Sequence, residues 1–163
     1  MKGLNPLVAT VLIIAISLAA ISLTFQVGNP IVDRSEEILL FQDAKNNLQT
    51  IDTAIKDVVF QGEGAKRNLR LSTFGGNYRI DDASDKIIFV MDSKSQIYSA
   101  GLSNITDGIN ITGSVGEITM IISYDDVDIL DTAAFDGGNW NVIVSNDGYN
   151  SVSGKTELSM TVS

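Results

Sequence analysis

Leu7-Val8-Ala9-Thr10-Val11-Leu12-Ile13-Ile14-Ala15-Ile16-Ser17-Leu18-Ala19-Ala20-Ile21-Ser22-Leu23-Thr24-Phe25 contains no charged residue and no proline. As a helix rising about 1.5 Å per residue it is roughly 28 Å long, close to the hydrocarbon thickness of a bilayer. It can span a membrane. A secretory signal peptide has a shorter apolar run ending in a small-x-small cleavage site, and Gln26-Val27-Gly28-Asn29-Pro30 offers a poor one, so the run is expected to be retained. A polar, strand-rich chain follows, and the plan is one apolar rod carrying one soluble head.

Downstream of the run, Gly28-Asn29-Pro30 is a breaker triplet at which a kink or short melt is expected. Asp33-Arg34-Ser35-Glu36 then has the form of a capping box, and Ile38, Phe41, Ala44, Leu48, Ile51, Ala54 or Ile55, and Val58 recur at steps of three and four. The spacing predicts an amphipathic helix to about Phe60, packed against its own head, with Gln42, Asp43, Lys45, Asn46, Gln49, Asp52, Lys56 and Asp57 on the solvated side. Gly62-Glu63-Gly64 ends it.

From Ala65 onward, short alternating runs are punctuated by glycine, asparagine and aspartate. Leu69, Leu71 and Thr73 alternate with polar residues, Phe74-Gly75-Gly76-Asn77 is a turn signal, and Tyr78 and Ile80 continue the alternation, which predicts a hairpin. After a turn at 81–85, the continuous apolar run 86–91 predicts a central strand covered on both faces. Residues 96–111 read as loop between short strands, 117–124, 127–130 and 139–144 as strands, Asn146-Asp147-Gly148 as a turn, and 155–163 as the last strand. Trp140, the only tryptophan, is expected to anchor the core or a sheet face. The fold class is therefore α+β, a long N-terminal apolar helix kinked near Gly28 to Pro30 followed by an antiparallel β-rich head, sandwich or small barrel. The expected division is 1–3, 4–28 (apolar helix), 29–61 (amphipathic helix) and 62–163 (head).

Composition narrows the function. The chain carries net charge -9, and the only charged residue up to Gly28 is Lys2, so the head is strongly acidic and repels nucleic-acid phosphates. Cysteine and histidine are absent, which excludes thiolate and serine-histidine catalysis, disulfides and the usual zinc sites. No enzyme activity and no cofactor are expected. In Tyr124-Asp125-Asp126-Val127-Asp128-Ile129-Leu130-Asp131, Asp126 and Asp128 fall on one side of an extended strand and make a calcium candidate, without the glycine and distal glutamate of an EF-hand loop. A solvated acidic turn is the plainer reading. Asn104-Ile105-Thr106 and Asn110-Ile111-Thr112 are intact N-glycosylation sequons. Ala15, Ala19 and Ser22, at i, i+4 and i+7, line one helix face where a second backbone could approach closely.

The N-terminus carries the most specific signal. Lys2-Gly3-Leu4-Asn5-Pro6-Leu7-Val8-Ala9-Thr10-Val11-Leu12-Ile13-Ile14-Ala15-Ile16 places a basic residue and a glycine before an apolar residue, a small polar residue and a proline suited to a first helical turn. This stretch resembles the archaeal type IV pilin-like proteins with class III signal peptides. The resemblance implies cleavage between Gly3 and Leu4 by a membrane prepilin peptidase, with Lys2 and Pro6 recognised in the leader. It also implies polymerisation with copies of itself through the apolar helix, driven by an assembly ATPase on a platform membrane protein. The precursor would sit in the cell membrane, the product would be an extracellular adhesive filament, and glycosylation at Asn104 or Asn110 is in keeping with the family. The glutamate near the mature N-terminus of bacterial pilins is absent, which favours the archaeal branch, and the polar residues associated with archaellins are absent too. The alternatives are a minor pilin or pseudopilin, and a non-filamentous membrane-anchored extracellular binding protein.

Overall fold

A computed structural model describes residues 6–94, 101 and 103–163. One helix, α1 (Pro6–Gln61), runs for 56 residues, about 84 Å at 1.5 Å per residue. Of the kink or short melt expected at Gly28-Asn29-Pro30, the melt does not occur: the apolar and amphipathic segments are one helix with Pro30 inside it. A proline inside a helix costs about 3 kcal/mol, whereas a break would leave a further set of four N–H and four C=O groups without intrahelical partners in an unpacked rod. Continuing costs less. The capping box is likewise absent: Ser35 Oγ donates to Ile31 O at 2.9 Å, the i−4 bond of a helix interior.

Ten strands follow among the described residues: β1 (Lys66–Thr73), β2 (Asn77–Asp81), β3 (Lys86–Asp92), β4 (Ser103–Thr106), β5 (Ile109–Ser114), β6 (Glu117–Ser123), β7 (Val127–Ile129), β8 (Ala133–Phe135), β9 (Gly138–Asn150) and β10 (Lys155–Val162). They form a four-stranded sheet in the order β1-β9-β10-β7 and a six-stranded sheet in the order β4-β5-β6-β3-β2-β8. All pairs are antiparallel except β10 with β7. The arrangement is sandwich-like, with neither sheet closed into a barrel.

Several local readings are corrected by the pairing. β1 and β2 do not form a hairpin; they belong to different sheets, and Phe74-Gly75-Gly76 carries the chain across the sandwich so that Leu71 and Tyr78 both face inward. Gly76 has φ +75°, and a Cβ there would lie 2.3 Å from the Phe89 ring, so only glycine fits. β3 is not covered on both faces: Ile87, Phe89 and Met91 are buried while Ile88 and Val90 are half-buried, the alternation of a strand with a single core side. The Asn146-Asp147-Gly148 turn is a bulge inside β9, opposite the register shift between Glu157 and Leu158. The real turn follows Asn150, whose Oδ1 accepts the Val152 N–H at 2.8 Å. Within the stretch expected as loop between short strands, β4 and β5 form a hairpin closed by Asp107 and Gly108, both with positive φ as a two-residue turn of that hand requires.

The C-terminal half of α1 completes the core. Ala44, Leu48, Ile51, Ala54, Ile55 and Val58 are buried and contact both sheets, reaching β1 and β9 on one side and β3 and β6 on the other. Ile38, expected on this stripe, is 42% exposed; apolar packing of the helix on the head begins at Leu40 and Phe41. The helix end is satisfied from the head: Asn146 Nδ2 donates to Val58 O at 2.9 Å, and the Gly62 N–H donates to the same carbonyl at 3.1 Å. Trp140 is half-buried against the core, its indole N–H donating to Asp136 O at 2.8 Å and its ring 5.7 Å from Phe135.

Candidate functional site

The feature that most needs a partner is the projecting part of α1. From Leu7 to Leu39, sixteen large apolar side chains are exposed. Covering each is worth roughly 1–2 kcal/mol, on the order of 20 kcal/mol together, whereas a whole domain is stable by only about 5–15 kcal/mol. This surface must be met by lipid or by other protein. The helix is long and apolar enough to cross a membrane, and none of its most apolar window is buried.

The polar groups within the rod make few demands on an apolar setting. Thr10 Oγ1 donates to Pro6 O at 3.0 Å, Thr24 Oγ1 to Ala20 O at 2.9 Å, and Gln26 Nε2 to Ser22 Oγ at 3.5 Å. Ala15, Ala19 and Ser22 are exposed on the helix. Pro6 is the first helical residue described; Lys2, Gly3 and Leu4 lie outside the described residues.

The rod is held to the head by polar contacts that the periodicity argument did not find. Glu37 accepts Ser93 Oγ at 3.1 Å and the Lys94 N–H at 2.8 Å. Asn47 Nδ2 donates to Ser72 O at 3.0 Å and to the Tyr78 hydroxyl at 3.4 Å, and burial pushes that hydroxyl up to about 12 despite the Asn47 bond. Lys45 Nζ lies 2.9 Å from Asp107, whose carboxyl it holds below the usual aspartate range, first by hydrogen bonding and then by charge. Burial, with the Asp52 carboxylate beside it, keeps the Tyr124 hydroxyl protonated; that hydroxyl donates to Asp52 Oδ1 at 3.2 Å. These contacts span successive turns of α1 and fix the angle at which the rod leaves the head. Polar residues bordering the apolar stripe were their one signal in the sequence.

The acidic stretch is dispersed. Lys155 Nζ is 2.6 Å from Asp85, a hydrogen bond that raises the ammonium's pKa with further help from Asp128 and Asp125. Asp131 Oδ2 accepts the Met160 N–H at 2.9 Å, and Asp126 offers its carbonyl to Thr156 N–H at 3.1 Å. Among the described residues no three acidic side chains gather as a metal site, and Asp126 and Asp128 form part of no such group. The sequons lie on the β4–β5 hairpin. Asn104 is paired with buried Ile111 and Asn110 with exposed Ile105, so the two exposed asparagines belong to opposite faces of the hairpin.

The chain matches no family model, no curated protein and no solved structure.

Proposed function

We propose that the chain is a structural subunit of an archaeal type IV pilus-like adhesive surface filament. It would be cut between Gly3 and Leu4 and polymerised with copies of itself through the N-terminal helix. The observation that carries the reading is the exposed apolar rod, continuous with a helix that packs in the head's core. In the membrane, lipid covers the rod; after extraction, neighbouring rods do, with Ala15, Ala19 and Ser22 permitting close approach. Prepilin peptidase, assembly ATPase and platform protein are supplied by the cell. The acidic head forms the outer surface, and Asn104 and Asn110 are its glycosylation sites.

The test is mass spectrometry of the protein's N-terminus in sheared extracellular material and in membranes of the native cell. A chain starting at Leu4 and enriched in the sheared fraction is the expected result, together with loss of both processing and filaments when Gly3 is replaced by a bulky residue. A chain starting at Met1 and confined to membranes would refute the filament and leave an anchored surface protein.

A further inference from the structure

Where the rod meets the head, a groove of about 770 Å³ opens between α1 and the loops carrying Phe74 and Lys94. Its floor is apolar, with Leu39 67% and Phe74 82% exposed. Asp33, Glu36, Glu37, Asp43 and Asp92 line it against the single ammonium of Lys94. Glu37 and Asp43 are bonded to the head, but Asp33, Glu36 and Asp92 are exposed and form no ion pair among the described residues.

The opposite charge stands elsewhere on the same head. β1 presents Lys66, Asn68, Arg70 and Ser72 to solvent, and none of the four residues opposite them on β9 is charged. Lys66 and Arg70 form no ion pair among the described residues. In a chain of net charge -9, the outward side of β1 and the four β9 positions opposite it carry two cations and no carboxylate. We infer that the groove of one copy receives the cationic outer face of β1 from a second copy of this chain.

Acidic heads brought side by side repel one another, and this juxtaposition converts the repulsion into attraction. The dimensions agree: Lys66 and Arg70 are about 13 Å apart along a strand, and the groove follows α1 from Asp33 to Asn46, about 20 Å of helix. The exposed ring of Phe74 offers a face on which the Arg70 guanidinium can stack. The two patches are different surfaces, so the contact is head-to-tail and propagates along a polymer instead of closing a dimer. The inference rests on the filament reading and adds the head contact to it.

The chain has no cysteine, which makes cross-linking clean. Full-length protein carrying both Glu36→Cys and Arg70→Cys, expressed in the native cell and oxidised, is expected to give a ladder of dimers, trimers and longer species, while either substitution alone gives monomer. Recovery of the Leu4-starting chain in the sheared fraction reports the filament separately. If it is recovered there and the double variant gives no ladder, the heads meet elsewhere and the groove proposal is wrong while the filament stands. If no chain reaches the sheared fraction, both readings fall. As a second readout, Lys66→Glu with Arg70→Glu is expected to lower filament yield at least tenfold, and adding Asp33→Lys with Glu36→Lys to restore it. An unchanged yield after the first pair, or no restoration after the second, overturns the contact.

Discussion

Leu48→Ala should unfold the head far more readily than the same truncation in the rod, because one helix serves two environments. Leu48 is fully buried between the two sheets, and emptying such a site costs about 3–5 kcal/mol through lost transfer energy and the cavity left behind. The head has about 100 residues, for which a urea m-value near 1–1.5 kcal/mol/M is usual. The unfolding midpoint should therefore fall by about 2–5 M. Leu12, 55% exposed on the rod, should shift it by less than about 0.5 M when changed to alanine, since in detergent that side chain touches only solvent tails. Urea titration of the detergent-solubilised full chain, followed by the fluorescence of Trp140, reads the head alone because no other tryptophan exists. A loss below about 1 kcal/mol for Leu48→Ala, or equal shifts for the two variants, would show that α1 is not part of the head's core.

Gly76→Ala should destabilise the head by more than about 2 kcal/mol, because φ is +75° and the new methyl meets Phe89. Gly116→Ala, with φ +81° and open space, should cost only about 1 kcal/mol; equal losses in thermal melts would refute the steric argument. Burial raises the Asp43 carboxyl above 3.8 against the opposing hydrogen bond from the Phe74 N–H. Its ionisation therefore costs folding stability once the pH passes that raised value, and no such cost exists below the unfolded value. Asp43→Asn, which keeps an acceptor for the Phe74 N–H, should match the wild type near pH 3 and exceed it in melting temperature at pH 7; a gap that narrows as pH rises would contradict this. Intact protein from the native cell should lose a glycan mass with Asn104→Gln or Asn110→Gln, and an unchanged mass in the double variant would remove the sequons from the account.

The apolar run 7–25 and the stripe from Ala44 to Val58 were legible because helical amphipathicity and membrane length are properties of contiguous residues. Most strands and several turns were legible for the same reason: alternation and glycine signals act over a few residues. What those signals left open was the partner. Phe74-Gly75-Gly76-Asn77 looks like a hairpin turn, and Asn146-Asp147-Gly148 like another, because positive φ is needed equally at a turn, a sheet crossing and a bulge. Which of these forms depends on whether Leu71 and Tyr78 must face the same core from opposite sheets, and on the β10 register opposite Gly148. At Gly28-Asn29-Pro30 the helix does not melt: the local breaker is outweighed by the cost of two more unsatisfied helix ends.

The spacing of neighbouring residues is enough to specify an apolar rod, an amphipathic helix and a β-rich acidic head. Long-range packing makes rod and core helix one continuous element, puts β1 and β2 in different sheets, and sets the acidic groove apart from the outward side of β1. Those outcomes are set by contacts between residues far apart in the chain, and no local pattern contains them.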